Sequence, residues 1–292
     1  MVVGTGGPRS AADVAVQGGR IVDVGRVEGS EAATTIDAAG CVVTPCFLDM
    51  HSHTDFSLPV LPTADSLVHQ GITTAVIGQC GASPAPLLAE TREEVLAAWE
   101  SEDMPLPWEE WTTFGSYLDY LRRTGISLNV VPLVGQGTVR AAVMGFGAEP
   151  ADGEQMKRMQ AEVVQAMDEG AIGVSTGLIY PPGSYASTEE LVDVTRPSGE
   201  RDGFYFSHIR GEAETLLDAV SEAVSIGRQT DTSVQIAHFK SVREPNWHKT
   251  AAALELLDAA RAEGLDISAD LYPYLASNTS LSTFLPDWAH EG

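Results

Sequence analysis

The spacing of hydrophobic and polar residues along the chain changes near residue 45. Before that point, short runs that alternate apolar and polar residues predict β-strands at Ala15-Val16, residues 20–24 and residues 35–37. Gly18-Gly19 separates the first two runs and predicts a turn. Residues 1–44 have too few apolar positions to bury a core alone, so we expect them to pair with another part of the protein.

From Pro45 onward, short apolar runs alternate with amphipathic stretches. The apolar runs predict seven strands, at residues 46–50, 73–79, 128–134, 171–176, 203–207, 233–237 and 266–271. Apolar residues spaced three and four apart predict helices over residues 153–169, 211–229 and 248–263. Capping-box patterns predict helix starts at Thr91 and Ser187. Helices between successive strands imply parallel pairing through crossovers, which favours an α/β fold of the TIM-like (β/α)8 type with seven strands visible.

Size and charge restrict the class of protein further. The 292 residues accommodate a barrel of about 250 residues and a small additional segment. No apolar run approaches the ~20 residues of a membrane helix, and the N-terminus lacks the pattern of a signal peptide, so we expect a cytoplasmic location. The net charge of −24 repels phosphate backbones and anionic lipid, which argues against nucleic-acid or membrane binding.

Side chains that commonly bind metals stand at the ends of four predicted strands. They are His51 and His53, Cys80, His208, and His238. The carboxyl ends of parallel strands share one rim of a barrel, and residues two apart in a strand point the same way. Imidazoles and a thiolate that meet at one point are typical of a zinc site. We therefore predict that these five side chains bind zinc.

Four further residues are candidates for contact with a substrate. Lys240 and Arg210 each follow a candidate ligand by two positions, and either binds a substrate carboxylate or pairs with Glu212 and neighbouring acids. Tyr180 and Tyr272 each follow a predicted strand, so they either line a pocket at the same rim or pack structurally. The residue types leave both interpretations open.

Together these motifs resemble the N-acyl-D-amino-acid deacylases (D-aminoacylases) of the amidohydrolase superfamily. The resemblance is carried by residues 44–55, 71–74, 78–81, 175–177 with 180–182, 207–212, 237–240 and 270–274. Hydantoinase- and dihydroorotase-like relatives place a lysine after the fourth strand, whereas residues 172–176 contain none. This difference favours the deacylases over the cyclic-amide hydrolases.

The resemblance implies a division of the five metal ligands between two zinc ions. A tightly bound zinc would take Cys80, His208 and His238. A second, weaker zinc would take His51 and His53, with Cys80 as the bridge.

The resemblance also implies the chemistry of the site. Lys240 and Tyr272 would contact the carboxylate of a small-molecule N-acyl amino acid. Zinc would activate a water for attack on the acyl carbonyl, and an Asp after the eighth strand would act as general base and acid.

The sequence departs from the family pattern at several points. Gln136 stands where the family usually has His, and Cys46 where it usually has Gly. We expect residues 1–44 to form part of a β-sandwich, and residues 45–292 to form a barrel truncated before strand eight, without the general base. The chain itself would then hydrolyse poorly or not at all. Two alternatives remain open: a cyclic-amide hydrolase, and a non-catalytic metal-binding remnant that self-associates through its incomplete barrel.

Overall fold

The protein consists of two compact units. The computed structural model describes residues 1–4, 6–28, 31–99 and 104–285. The contacts within it separate Met1–Phe47 from Leu48–Gly292.

The first unit contains a β-hairpin. Strand β1 (Asp13–Gln17) pairs antiparallel with β2 (Arg20–Gly25). Gly18 and Gly19 join them with φ angles of 59° and 75°, the positive values that a tight hairpin turn requires. The prediction of a strand over residues 35–37 is wrong: these residues lie outside any strand, and Ile36 is 84% exposed. An extended segment becomes a strand only where its backbone amides find a neighbouring strand.

A three-stranded sheet begins the strand–helix alternation. Its order is β3 (Phe47–Asp49), β4 (Ile72–Ile77) and β5 (Asn129–Pro132). Strands β4 and β5 are parallel, with Thr74 opposite Asn129.

A five-stranded sheet comes next in the chain, and each neighbouring pair of its strands is parallel. In chain order the strands are β6 (Val134–Gly135), β7 (Gly173–Gly177), β8 (Phe204–His208), β9 (Ser233–Ile236) and β10 (Ile267–Ala269). Their order in the sheet is the same as their order in the chain. The expected α/β class with parallel strands is confirmed.

One predicted strand, residues 128–134, is two strands in the structure. Strand β5 pairs with β4, whereas β6 pairs with β7. The change of partner falls beside Pro132, which has no amide N–H to continue a ladder. Each of the other six predicted runs overlaps one strand, so the seven runs correspond to eight strand segments, β3 to β10, in the described part of the chain.

Helices lie between the strands. Within the described ranges they are α1 (Asp65–Val68), α2 (Arg92–Trp99), α3 (Phe114–Thr124), α4 (Gln136–Met144), α5 (Gly153–Asp168), α6 (Thr188–Gly199), α7 (Leu216–Thr230) and α8 (Lys249–Ala262). Helices α5 and α8 confirm two predictions almost to the residue, whereas α7 begins at Leu216, five residues later than predicted. No helix of the described part combines the length and apolar character that crossing a membrane would need.

The predicted capping boxes are only partly formed. The Ser187 hydroxyl accepts a hydrogen bond from the Glu190 amide at 3.2 Å, as expected for the first residue of a box. The Glu190 side chain pairs instead with the buried guanidinium of Arg140 at 3.0 Å. Glu94, in the other predicted box, accepts from the amide of Phe146 at 2.9 Å. In both cases a tertiary partner replaces the local one.

Two apolar clusters hold the strands and helices in place. One surrounds Trp111, Tyr117 and Met159 and joins β4 and β7 to helices α3, α4 and α5. The other surrounds Tyr205 and Leu257 and joins β8, β9 and β10 to helices α6, α7 and α8. This packing fixes the strands, and with them the starting points of the loops that carry polar residues.

Candidate metal centre

The five predicted ligands all lie at or just beyond the carboxyl ends of strands. His51 and His53 follow β3, Cys80 follows β4 by three residues, His208 is the last residue of β8, and His238 follows β9 by two residues. This is the rim where parallel α/β folds place their sites.

Glycines shape the turn that presents Cys80. The φ angle of Cys80 is 54°, and those of Gly78 and Gly81 are 75° and 74°, so the chain passes through a left-handed turn. A Cβ at Gly78 would lie 1.9 Å from the carbonyl oxygen of Leu133. A Cβ at Gly177 would lie 2.0 Å from the carbonyl oxygen of Cys80 itself. The turn therefore depends on residues without side chains at these two contacts.

The side chains of these residues converge. The Cys80 Sγ lies 3.4 Å from His51 Nε2 and 3.9 Å from His238 Nε2. The His238 Nε2 lies 2.9 Å from His208 Nδ1. The ring centroids of His51 and His53 are 5.5 Å apart. Ligands at zinc-bond lengths in a tetrahedral shell are about 3.5 Å from one another, so the separations of 2.9 to 3.9 Å between these sulfur and nitrogen atoms are compatible with metal binding.

The ligand atoms form two groups that share one residue. His51, His53 and Cys80 make one group, and Cys80, His208 and His238 make the other; within each, one ligand atom per residue lies within 4.8 Å of the others. Because the sulfur belongs to both groups, it stands where a bridging thiolate would.

Burial keeps the imidazoles of His51, His53 and His208 neutral and able to donate lone pairs. It lowers the pKa of His51 and of His208 to about 3, and neighbouring imidazoles add to the effect. It also lowers the pKa of His53. Within the described residues, His51 Nδ1 and His208 Nε2 are buried without a hydrogen-bond partner. Neutral imidazoles together with a sulfur are the donor set that zinc prefers.

Burial has the opposite effect on the thiol. It raises the pKa of Cys80 to about 12, and the carboxylates of Asp270 and Glu212 act in the same direction. A bound cation would reverse this preference, because a coordinating thiol loses its proton to the metal.

Three acidic residues around the site accept hydrogen bonds from backbone amides. Asp49 accepts from the amide of His51 at 3.1 Å, and the buried Asp55 accepts from the amide of Gly78 at 3.0 Å. Asp270 accepts from the amide of His238 at 2.6 Å. These carboxylates therefore fix the three loops that carry ligands.

Glu212 is a site residue that we did not predict as such. Its Oε1 lies 2.9 Å from His238 Nδ1 and 2.6 Å from the ammonium of Lys240. Burial raises its pKa, but the hydrogen bond with His238 and the charge of Lys240 outweigh this effect and hold the pKa below its usual value. The only sequence signal is its position four residues after His208, on the loop that leaves β8.

The four predicted substrate contacts divide into two kinds. The Lys240 ammonium lies 5.6 Å from the ring centroid of Tyr272. The ring of Tyr180 lies edge-on to His208 at 5.3 Å, and its hydroxyl is 2.9 Å from that of Thr279. Lys240 and Tyr180 therefore lie next to candidate ligands, and Tyr272 lies next to Lys240.

Arg210, the fourth predicted substrate contact, forms an ion pair within the protein. Its guanidinium pairs with Glu222 at 3.0 Å and donates to the carbonyl oxygens of Ser184 and Ala186, each at 2.9 Å. The pairing with Glu212 that the sequence left open is replaced by one with Glu222. Contact of Arg210 with a substrate stays a prediction.

The two departures from the family pattern occupy different surroundings. Gln136 opens helix α4, is fully buried, and has no hydrogen-bond partner for either side-chain atom among the described residues. Cys46 is a free, exposed cysteine. Neither is among the residues that converge around Cys80.

Comparison with known proteins agrees with this geometry. No protein-family profile matches the chain. The chain is 37% identical over 281 residues to a D-aminoacylase from Alcaligenes xylosoxydans xylosoxydans, covering 96% of the chain and 57% of that protein. A crystal structure of D-aminoacylase, described as defining a novel subset of amidohydrolases, superposes with a TM-score of 0.84 and 38% identity, over 93% of this chain and 56% of that one.

A second solved structure is equally similar in fold. It is an N-acyl-D-glutamate deacylase from Bordetella bronchiseptica, complexed with zinc and a phosphonate inhibitor that mimics the tetrahedral intermediate. The TM-score is 0.84 and the identity 34%, over 92% of this chain and 56% of that one.

These similarities place the chain among relatives of the amidohydrolases. Within that class it is a relative of the N-acyl-D-amino-acid deacylases, as the sequence motifs predict. The chain spans a little over half the length of these proteins, 57% of the curated D-aminoacylase.

Proposed function

We propose that the protein is a zinc-dependent hydrolase of the amide bond in N-acyl-D-amino acids, yielding a carboxylate and a free D-amino acid. The observation that carries this proposal is the meeting of five predicted ligands in two groups that share Cys80. The similarity to D-aminoacylases over 96% of the chain supports it.

The fold that we propose rests on the same similarity. Residues 45–292 would form part of a TIM-like barrel, and residues 1–44 would contribute to a β-sandwich. The parallel order of β6 to β10 supports the first part, and the hairpin of β1 and β2 supports the second.

The metal would be held as the family resemblance implies. Cys80, His208 and His238 would take a tightly bound zinc, and His51 and His53 would take a weaker one together with Cys80. The neutral imidazoles and the shared sulfur support this assignment. Zinc, when bound, supplies a Lewis acid and a water acidic enough to react near neutral pH.

The protein's own residues would bind and orient the substrate. Lys240 would pair with the α-carboxylate, and the ring of Tyr272 would support the ammonium from one side. Tyr180 would border the same space next to His208. Arg210 would act indirectly, by bracing the backbone of residues 184–186.

A cyclic-amide hydrolase is less well supported. Strand β7 (Gly173–Gly177) and its neighbour Ile172 contain no lysine. The sulfur of Cys80 lies instead between the two groups of imidazoles.

The proposal is tested by measuring zinc content and hydrolysis together. We expect the purified chain to retain at least one zinc and to lose thermal stability in chelator. His208→Asn should abolish tight binding, whereas His69→Asn, at an exposed histidine, should not. A chain that holds no zinc and is indifferent to chelator would overturn the proposal.

Substrate panels separate the alternatives. Hydrolysis of N-acetyl-D-amino acids in preference to their L-enantiomers supports the deacylase, and hydrolysis of hydantoin or dihydroorotate supports the cyclic-amide enzyme. Zinc binding without either activity supports the metal-binding remnant.

A further inference from the structure

Two charged groups at the edge of the metal centre, Glu212 and Lys240, compete for one ring nitrogen of His238. The Nδ1 atom of His238 lies 2.9 Å from Glu212 Oε1 and 3.0 Å from Lys240 Nζ. Lys240 Nζ is in turn 2.6 Å from the same Glu212 oxygen. The three side chains are only 12%, 15% and 26% exposed for His238, Glu212 and Lys240, so water screens their interactions little.

Glu212 and Lys240 favour different tautomers of the His238 imidazole. A neutral imidazole carries one N–H and one lone pair. A carboxylate only accepts, so Glu212 requires the proton of His238 on Nδ1. An ammonium only donates, so a hydrogen bond from Lys240 requires the lone pair on Nδ1 and the proton on Nε2.

The position of the ring proton, on Nδ1 or on Nε2, decides whether His238 can bind a metal. Its Nε2 faces Cys80 Sγ at 3.9 Å and His208 Nδ1 at 2.9 Å. With the proton on Nδ1, the Nε2 lone pair points at these ligands. With the proton on Nε2, that lone pair is lost and the ring presents an N–H to the site.

We propose that Glu212 is a positioning residue that selects the metal-binding tautomer of His238 and holds Lys240 away from the ring nitrogen. This inference rests on the proposed zinc centre. A hydrogen bond to a carboxylate is stronger than one between neutral groups, and Glu212 offers Lys240 a shorter contact than the ring does. Glu212 thus ties a metal ligand to the proposed substrate-binding cation through one oxygen atom.

The primary test is zinc affinity, measured by competition with a chromophoric chelator. E212Q removes the charge but keeps the shape, and we expect zinc affinity to fall between tenfold and a hundredfold, as for other residues that orient metal-bound histidines. The matched control is E214Q, two residues along the same loop, where the exposed Glu214 lies 3.9 Å from Arg243. E214Q should bind zinc as the unsubstituted chain does.

A double-mutant cycle tests the competition itself. K240M removes a positive charge and is expected to strengthen zinc binding modestly in any background. In the E212Q background, K240M should also remove the ammonium that competes for His238 Nδ1. The gain in zinc affinity from K240M should therefore be at least threefold larger there than in the unsubstituted chain. Equal gains in both backgrounds overturn the tautomer argument, because independent effects would simply add.

A spectroscopic measurement on the metal-free chain tests the tautomer of His238 directly. Long-range ¹⁵N–¹H correlation of histidine-labelled protein, with His238→Gln used for assignment, should show His238 protonated on Nδ1. E212Q should shift it towards protonation on Nε2. Protonation on Nε2 in the unsubstituted chain overturns the inference, even if E212Q fails to fold.

The outcomes separate this inference from the proposed function. Failure of the unsubstituted chain to bind zinc overturns the metal centre and the inference with it. Zinc binding that is unchanged by E212Q overturns only the role of Glu212.

Discussion

Cys80 is central to the proposed metal centre. Among the described residues it alone belongs to both ligand groups. Its thiol is nevertheless held in the protonated form, because burial and two nearby carboxylates raise its pKa to about 12. Metal binding and loss of this proton must therefore occur together.

This coupling predicts a pH dependence of zinc affinity. Between pH 6 and pH 8 the free thiol is protonated throughout, since both values lie below 12, whereas His51 and His208 are neutral, since both lie above 3. Zinc must displace about one proton from Cys80, so affinity should rise about tenfold for each unit of increasing pH.

Calorimetric titration in two buffers of different ionisation enthalpy counts the released protons. Cys80→Ser should remove this release along with most of the affinity. A proton count near zero for the unsubstituted chain would contradict the thiolate assignment.

The close approach at Gly177 leads to a second prediction. In Gly177→Ala the new Cβ would lie 2.0 Å from the carbonyl oxygen of Cys80, so the turn must move. We expect a loss of about 1–3 kcal/mol in the free energy of unfolding, and weaker zinc binding.

Urea unfolding and zinc titration measure the two effects. Gly153→Ala is the control, because nothing lies within 4 Å of a Cβ at that position. Equal behaviour of the two variants would show that the turn tolerates a side chain.

Individual site residues could be predicted from sequence to different extents. The five ligands were predictable because each is a ligand-type residue directly after an apolar run. Glu212 was not, because its partner His238 lies 26 residues away and an acidic residue in a loop has no distinctive signal. Arg210 had an ambiguous sequence context, and only packing brought it to Glu222.

At the scale of elements, helices α4 and α6 are joined by a buried ion pair. Arg140 is fully buried and donates to Glu190 at 3.0 Å and to the carbonyl oxygens of Gly147 and Glu149. Glu190→Ala would leave a buried guanidinium without its counter-charge, which typically costs about 3–5 kcal/mol.

Chemical denaturation at pH 7 tests this prediction. Glu189→Ala, at the neighbouring position, should leave the free energy of unfolding nearly unchanged, because that side chain is outside the buried pair. If Glu190→Ala were equally harmless, the pair would not hold the two helices together.

The strands and helices themselves were largely predictable. Helices α5 and α8 were predicted from apolar spacing, because that spacing reflects the 3.6-residue period of the helix. The division of residues 128–134 into β5 and β6 was not predictable, because it depends on which neighbouring strand each half finds. The capping boxes failed in part because Arg140 and Phe146 offered Glu190 and Glu94 other partners.

At the scale of the whole molecule, several exposed apolar side chains follow the last strand in the chain. Leu275, Leu281 and Phe284 are strongly exposed, at 109%, 85% and 73%. Apolar surface of this kind favours association, so we expect the chain to self-associate as its concentration rises.

Light scattering coupled to size-exclusion chromatography measures the mass directly. Leu275→Ser with Leu281→Ser should shift the chain towards monomer, whereas Leu61→Ser, at another exposed leucine, should not. A monomeric unsubstituted chain at all concentrations would contradict the prediction.

The sequence by itself determined the alternation of strands and helices, the parallel α/β class, and the identity of the five candidate ligands. These properties depend on local periodicity and on the residue type at the end of each strand, and both are set by residues that are close together in the chain. Tertiary structure alone decided that Cys80 joins two groups of imidazoles, that Glu212 faces His238, and that Arg210 turns to Glu222. Those contacts join loops that are distant in the chain, and only packing of the strands beneath them sets which side chains meet.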